Sequence, residues 1–182
     1  MKELSLNILD ITENSVSAKA ENISVAVREN TDEGTMIIEI ADDGCGMSEE
    51  FLKNVLDPFT TTRKTRKVGL GLPLFKLAAE QAGGGLMITS KVGVGTTVRA
   101  EFQIDNIDRA PLGDMADTVA TLIHGHPDMH FRFIFEKDGD GFEVDTLELR
   151  EQLGDVPLNI PEVLCWIKDF VNGNLAELKF IF

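Results

Sequence analysis

Apolar residues recur at helical spacing over the first twenty residues of the chain. Side chains three or four positions apart lie on one side of an α-helix. The apolar residues near this spacing are Leu4, Ile8, Ile11 and Val16. This pattern predicts a helix over residues 2–20, with polar residues on its remaining faces.

Four short segments rich in β-branched residues predict two β-hairpins. The segments are NISVAV, TMIIEIA, LMITS and TTVRAEFQI. TDEG separates the first two segments and KVGVG separates the last two, and such short glycine-containing connections are typical of hairpins.

Two further helices are predicted between these hairpins. SEEFLKNVL begins at Ser48, a favourable N-cap residue, and LPLFKLAAEQA ends at three glycines, 83–85. Residues 57–69 between them show no periodicity and form a basic loop. The element order over residues 1–105 predicts an α+β fold, a two-layer α/β sandwich with a mixed sheet and helices on one face.

Beyond residue 105 the chain becomes strongly acidic. Residues 106–182 contain 15 acidic and six basic side chains, which supply −9 of the total net charge of −14. A helix is predicted around 114–124, a hairpin over 130–144 and a last amphipathic helix that begins at Pro161. We expect a small acidic α/β extension, of unknown role, that packs on the first domain.

Five residues of this extension could carry chemistry but have simpler explanations. His124, His126 and His130 lack the cysteine or acidic pattern that completes a zinc site. Trp166 and Phe170 lie four positions apart on the last helix. We expect both aromatic rings in the core, with a partner-binding surface as the alternative.

Composition and charge exclude several classes of protein. Apolar residues make up 43% of the chain, which is sufficient for a core. No apolar run reaches the roughly 18–20 residues that cross a bilayer, and the amino terminus does not have the pattern of a secretory signal. Cys45 and Cys165 lie far apart, which favours reduced thiols in the cytoplasm. The charge of −14 argues against nucleic acid and anionic membranes as partners.

Polar residues on the first helix and after the second strand suggest a nucleotide site. Asp10 and Asn14 lie one helical turn apart. The Asn14 oxygen suits Mg²⁺, and Asp10 could polarise an attacking hydroxyl or water. In DDGCGM, the Asp43 carboxylate could accept from the amine of adenine, while Gly44 and Gly46 permit close approach.

A second glycine-rich segment precedes the third predicted helix. It comprises Gly69, Leu70 and Gly71 in VGLGL. Backbone N–H groups at a helix amino terminus bind phosphate well because the helix dipole is positive there. The joint occurrence of these segments favours a site for Mg²⁺ and ATP.

These motifs resemble those of the Bergerat-fold ATPase superfamily, which includes DNA gyrase, Hsp90, MutL and sensor histidine kinases. ENSVSAKAENISV is similar to the N box of that superfamily, DDGCGM to its first glycine box, and DPFTTTRKTRKVGLGL to its lid and second glycine box. The segment from GLGL to RAEF is similar to histidine-kinase domains, and the whole resemblance covers roughly residues 4–104.

The resemblance implies a role for each matching position. Asn14 corresponds to the Mg²⁺ ligand, Asp43 to the adenine anchor and Thr96 to a support of the adenine site. Asp10 stands where the superfamily's hydrolysing members have Glu. The hinge and phosphate-loop positions, which the resemblance assigns to glycines, are Gly44, Gly46, Gly69 and Gly71.

The lid carries two candidate contacts to the γ-phosphate, Lys64 and Arg63. Glu13 points about 100° away from Asn14 on a helix, so it is a poorer base than Asp10. The alternative interpretation of the lid charges is that they keep the loop soluble.

Three functions remain open at this point. The chain could be a stand-alone protein kinase subunit that transfers the γ-phosphate to a His or Ser of a partner protein. It could instead be an ATP-gated switch with slow ATPase activity, similar to MutL, or a nucleotide-dependent binding regulator comparable to the anti-sigma kinases. A homodimer is compatible with each function.

Overall fold

A mixed six-stranded sheet forms one layer of the structure, a computed structural model that describes residues 3–57 and 70–180. The strands are β1 (Asn22–Asn30), β2 (Thr35–Asp42), β3 (Gly85–Lys91), β4 (Gly95–Gln103), β5 (His130–Lys137) and β6 (Asp140–Asp145). Their order across the sheet is β3-β4-β2-β1-β5-β6. Neighbouring strands are antiparallel except for β1 and β5, which are parallel.

Helices form the second layer on one face of this sheet. They are α1 (Leu4–Ser17), α2 (Glu49–Asn54), α3 (Gly71–Gln81), α4 (Met115–Gly125), α5 (Thr146–Leu153) and α6 (Pro161–Glu177). Helix α1 contacts both α3 and α4, and α6 packs against α4. Within the described residues no helix is both long and apolar enough to span a bilayer. The predicted α+β two-layer fold with a mixed sheet is therefore confirmed.

Alternating burial along the strands fixes which face carries the core. On β2, the side chains of Met36, Ile38 and Ile40 are buried, whereas the residues between them are half-exposed. Successive side chains of a strand point to opposite faces. The buried set therefore faces the helices, and the apolar residues of α1 pack onto it.

The acidic extension joins the sheet of the first domain. Strand β5 pairs with β1 in parallel register, with Val25 opposite Phe133. Three phenylalanines of β5, Phe131, Phe133 and Phe135, are completely buried in the common core. Sheet and core thus continue across residue 105 without a break.

Local signals explain the helix boundaries of the extension. Pro161 occupies the first turn of α6, as predicted. Helix α5 was not predicted; it begins because the Asp145 carboxylate accepts hydrogen bonds from the backbone N–H groups of Leu147 and Glu148. The sequence signal was the aspartate that ends the strand, directly before the helix.

One expectation about the last helix is wrong. The Trp166 side chain is 54% exposed and does not belong to the core. Phe170 is partly buried and packs against the core. Trp166 lies on the outward half of α6, because the buried positions of that helix are Val163, Ile167, Val171 and Leu175.

We expect Phe133→Ala to lower the free energy of unfolding by about 3–5 kcal/mol, since it leaves a cavity in the shared core. Chemical denaturation should show one transition for the whole chain. The neighbouring Arg132→Ala, which removes only an exposed ion pair with Glu143, should cost no more than about 1 kcal/mol. If Phe133→Ala instead showed two transitions, one of them at the denaturant concentration at which the unsubstituted protein unfolds, the extension would be an independent folding unit.

Candidate functional site

The carboxylate of Asp10 and the amide of Asn14 face the first residue of α3. A Cβ atom built on Gly71 would overlap the Asp10 carboxylate and would lie 3.7 Å from Asn14 Nδ2. Gly71 is buried, so a larger residue there would have to displace the Asp10 carboxylate from its position. The fold thus brings Asp10, Asn14 and the amino terminus of α3 together.

Asn7 extends this polar row by one turn. It lies three residues before Asp10 and seven before Asn14, a spacing that keeps all three on one side of the helix. Its side chain is buried, and within the described part of the chain its Nδ2 atom has no hydrogen-bond partner. An unsatisfied buried donor costs about 1–3 kcal/mol. The helical spacing was the signal that could have identified Asn7 from the sequence.

Asp42 continues the inward face of β2 and lies beside α1. Ser15 Oγ donates a hydrogen bond to Asp42 Oδ2 at 2.5 Å. The backbone N–H of Gly44 donates to Asp42 Oδ1 at 2.9 Å. These two bonds fix the orientation of a half-buried carboxylate next to the polar row of α1.

Asp43, the residue that the sequence pattern selects as the adenine anchor, lies on the opposite face. Its carboxylate accepts hydrogen bonds from the N–H groups of Glu21 and Asn22, at 2.8 and 2.9 Å, and from Asn22 Nδ2 at 2.6 Å. The hydrogen bond from the Asn22 side-chain amide is the main cause that lowers the pKa of Asp43; burial opposes this shift, and the backbone donors of Asn22 and Glu21 add to it. The structure therefore places Asp42, and not Asp43, with α1. Because strand alternation separates two adjacent residues, the inward positions of β2 were the signal for Asp42.

The first glycine box, residues 42–47 and from here on called the glycine box, is held between α1 and the β3–β4 hairpin. The N–H group of Cys45 donates to the carbonyl of Ala18 at 2.9 Å, and Gly44 is buried against the same residue. Gly46 has a φ of +67°, and a Cβ atom there would overlap the carbonyl of Lys91. Both the backbone conformation and the close contact require glycine at position 46.

Thr96 occupies the position on β4 directly opposite Asp42. Its hydroxyl lies 2.8 Å from Ser90 Oγ. The Ser90 hydroxyl in turn accepts from the N–H of Met47 at 2.8 Å and donates to the carbonyl of Gly95. This hydroxyl pair connects the glycine box to the hairpin beside the Asp42 carboxylate.

Three predicted site residues, Gly69, Lys64 and Arg63, lie outside the described residues. Leu70 directly precedes α3, and its side chain is 49% exposed. Its carbonyl accepts the hydrogen bond from the N–H group of Leu74. Leu70 is thus the N-cap residue of α3, and Gly71, which follows it, contacts Asp10.

His130 connects the glycine box to the extension. Its Nδ1 atom lies 2.7 Å from Asn22 Oδ1, and its Nε2 atom lies 2.9 Å from Asp145 Oδ1. Asn22 uses its amide nitrogen to donate to Asp43, so its oxygen faces the ring.

A second histidine makes a similar connection. His126 Nε2 lies 3.0 Å from Glu13 Oε1 on α1. Glu13 is the neighbour of Asn14 but points about 100° away from it around the helix, toward His126 of the extension. His126 and His130 therefore both bond to residues of the first domain.

Comparison with known proteins assigns the chain to a family. Residues 1–106, more than half of the chain, match the family described as "Histidine kinase-, DNA gyrase B-, and HSP90-like ATPase". The chain belongs to this family. It therefore carries a nucleotide-binding domain of the histidine-kinase-like ATPase type, which includes the polar row of α1, the glycine box and α3.

Several sensor kinases are similar to part of this ATPase domain. Sensor histidine kinase CitA of Klebsiella pneumoniae is 36% identical over 67 residues, 37% of this chain and 12% of that protein. Histidine protein kinase DivJ of Caulobacter vibrioides is 30% identical over 101 residues, 53% of this chain and 17% of that protein. Sporulation kinase E of Bacillus subtilis is 35% identical over 98 residues, 53% of this chain and 13% of that protein. The chain thus spans less than a fifth of the length of these relatives.

Solved structures share the fold of this ATPase domain at low sequence identity. The Aquifex aeolicus MutL ATPase domain complexed with ADP aligns with a TM-score of 0.50 and 14% identity, covering 84% of this chain and 68% of that one. The N-terminal domain of a DNA repair protein aligns with a TM-score of 0.54 and 12% identity, covering 80% and 52%. Both alignments cover more of this chain than the family match does.

We expect the ionised Asp43 carboxylate to stabilise the fold in a pH-dependent way. Its pKa is lowered in the folded state, so its contribution is present above the unfolded pKa and is lost as the pH falls through the folded pKa. Asp43→Asn should therefore reduce stability at neutral pH, and its difference from the unsubstituted protein should shrink below about pH 4. Urea denaturation of both proteins between neutral pH and pH values below about 4 measures this difference in stability. A difference of constant size at every pH would contradict the assignment.

Proposed function

We propose that the chain binds Mg-ATP between α1, the glycine box and the amino terminus of α3. We further propose that it acts as a protein kinase subunit that transfers the γ-phosphate to a His or Ser of a partner protein. The observation that carries this proposal is the contact of Gly71 with Asp10 and Asn14. That contact brings together an acid, an amide suited to Mg²⁺ and a helix amino terminus.

Asp42 is the residue we assign to the adenine amine, in place of Asp43. A carboxylate only accepts hydrogen bonds, so it suits the amine of adenine and disfavours the carbonyl that guanine has there. Ser15 and Gly44 orient Asp42 and leave lone pairs for another donor. Three donors already occupy Asp43 on the other face. Thr96, opposite Asp42, supports the same end of the site.

Asn14 and the first turn of α3 are assigned to the phosphate end. The Asn14 side-chain oxygen is a suitable ligand for Mg²⁺, which otherwise prefers phosphate oxygens and water. The N–H groups at the start of α3 suit phosphate oxygens. The nearby Asp10 carboxylate would repel phosphate without a cation, which agrees with a requirement for Mg²⁺.

Asp10 is assigned the role of general base. Its carboxylate lies at the phosphate end, where it can accept the proton of an attacking hydroxyl, imidazole or water. Because water is among these nucleophiles, the same position supports a slow ATPase as the second candidate function. Lys64, Arg63 and Gly69 keep their predicted roles at the phosphates as part of this proposal.

Incubation with γ-labelled ATP and candidate partner proteins separates these functions. Label on a partner supports the kinase, and its lability in acid distinguishes phosphohistidine from phosphoserine. Release of free phosphate alone supports the slow ATPase. A complex that depends on nucleotide, with neither product, would replace both by a binding regulator.

We expect Asp42→Asn to weaken ATP binding about 10- to 100-fold, because it exchanges an acceptor for an amide that also donates. Asp43→Asn, a change of the same size one residue away, should leave the ATP affinity within about threefold of the original. Isothermal titration with Mg-ATP measures both, and circular dichroism confirms folding. If Asp43→Asn lost affinity and Asp42→Asn did not, the assignment would have to be reversed.

We expect Asp10→Asn to preserve ATP binding but to reduce phosphoryl transfer or hydrolysis about 10²- to 10⁴-fold, the usual contribution of a general base. Glu13→Gln is the matched control, since Glu13 lies on the same helix but contacts His126. Turnover by each variant is measured with labelled ATP under saturating conditions. If Asp10→Asn and Glu13→Gln turned over ATP at equal rates, Asp10 would not be the general base.

A further inference from the structure

The outward face of α6 carries an aromatic stack that begins in the core and ends in solvent. Phe170 contacts Phe142 of β6 edge-to-face, with ring centroids 5.8 Å apart. Trp166 stacks on Phe170 at 5.3 Å with an interplanar angle of 16°. The Trp166 side chain is 54% exposed. A large aromatic side chain that packs on another ring with one face and exposes its other face to solvent is characteristic of interaction surfaces.

Gly173 continues the same face toward the carboxyl end of α6. It lies seven residues after Trp166 and three after Phe170, which places it on the outward side of the helix. A Cβ atom built on Gly173 would meet nothing within 4 Å. Glycine within a helix destabilises it relative to alanine. Packing within the described chain gives no reason for this glycine, whereas close approach by another backbone does.

Two carboxylates flank the exposed indole ring. Glu162 lies one turn before Trp166, and Asp169 lies three residues after it. Across residues 3–57 and 70–180, neither carboxylate forms an ion pair. Lys168, on the side of α6 that faces α4, is by contrast paired with Asp117 at 2.6 Å. The outward face therefore combines an aromatic ring with unpaired negative charge.

This combination determines the chemistry of the partner. An arginine side chain can stack on an indole ring and also pair with carboxylates. A second copy of this chain would bring another net charge of −14, which disfavours it as the occupant. An anionic lipid surface is disfavoured for the same reason.

We propose that the outward face of α6 docks a basic amphipathic helix of a partner protein. An apolar side chain of that helix covers Trp166 and Phe170, an arginine lies between Glu162 and Asp169, and the two backbones approach each other at Gly173. Strand β6 and the helix α6 that contacts it lie at one end of the sheet, and β3 and the helix α3 that contacts it lie at the other end. The proposal therefore does not depend on the nucleotide cleft.

Tryptophan fluorescence tests this proposal directly, because Trp166 is the single tryptophan of the sequence. The probe is a synthetic amphipathic helical peptide with leucines on one face and arginines beside them. We expect a saturable blue shift of the emission and an affinity at least tenfold higher than that of a scrambled peptide of equal composition. Equal binding of the two peptides, or saturation without a spectral shift, would overturn the proposal.

Matched double variants separate the surface from the overall acidity. Glu162→Gln with Asp169→Asn should weaken peptide binding at least fivefold. Glu151→Gln with Asp155→Asn removes the same charge from exposed positions beyond the surface and should change the affinity by less than twofold. If both pairs weakened binding equally, general electrostatic attraction would be the explanation and the docking surface would be rejected.

Gly173→Ala gives two readouts of opposite sign. It should raise the melting temperature by about 1–3 °C, because alanine favours the helix. It should also weaken peptide binding at least threefold, because a methyl group separates the two backbones. Unchanged affinity in this more stable variant would overturn the close helix crossing. Isothermal titration with Mg-ATP, run in parallel, should give the same ATP affinity for every variant of this face.

Discussion

The contact between the first residue of α3 and the carboxylate of Asp10 is the constraint on which the proposed nucleotide site depends. Gly71 has no side chain, so the end of α3 can approach α1 until the helix amino terminus meets the polar row. The adjacent side of α1 is fixed by the core, because Leu4, Ile8 and Ile11 are buried against the sheet. One helix thus anchors the core and presents the polar groups that are proposed to act on the nucleotide. Small shifts of α1 are therefore costly for both.

Much of the fold could be predicted from the sequence because periodicity and capping act locally. Ser48 begins α2 as predicted, since its hydroxyl accepts from the N–H group of Phe51. The site was harder to predict at the resolution of one residue. DDGCGM presents two adjacent aspartates, and the pleat of β2 sends Asp42 inward and Asp43 outward. The exposure of Trp166 had a signal in the sequence, since apolar residues four apart at Val163, Ile167 and Val171 define the buried side of α6 and leave Trp166 outside it.

The extension is connected to the nucleotide side by polar bonds as well as by the core. His130 lies between Asn22 and Asp145, and His126 bonds to Glu13. Asn22 also holds Asp43, the neighbour of the proposed adenine anchor. A displacement of β5 or α5 is therefore transmitted to the glycine box through a short series of hydrogen bonds. The proposed docking surface on α6 lies on the other side of this same extension.

The parallel pairing of β1 with β5 has a consequence for the order in which the chain acquires its structure. Asn22 is paired with His130, so more than a hundred residues separate the two strands along the chain. During synthesis from the amino terminus, β1 has only one strand neighbour until β5 leaves the ribosome. Closing such a long loop is entropically costly and slows folding. An incomplete chain consequently displays an open strand edge that invites aggregation, and prompt completion of the carboxyl-terminal third protects it.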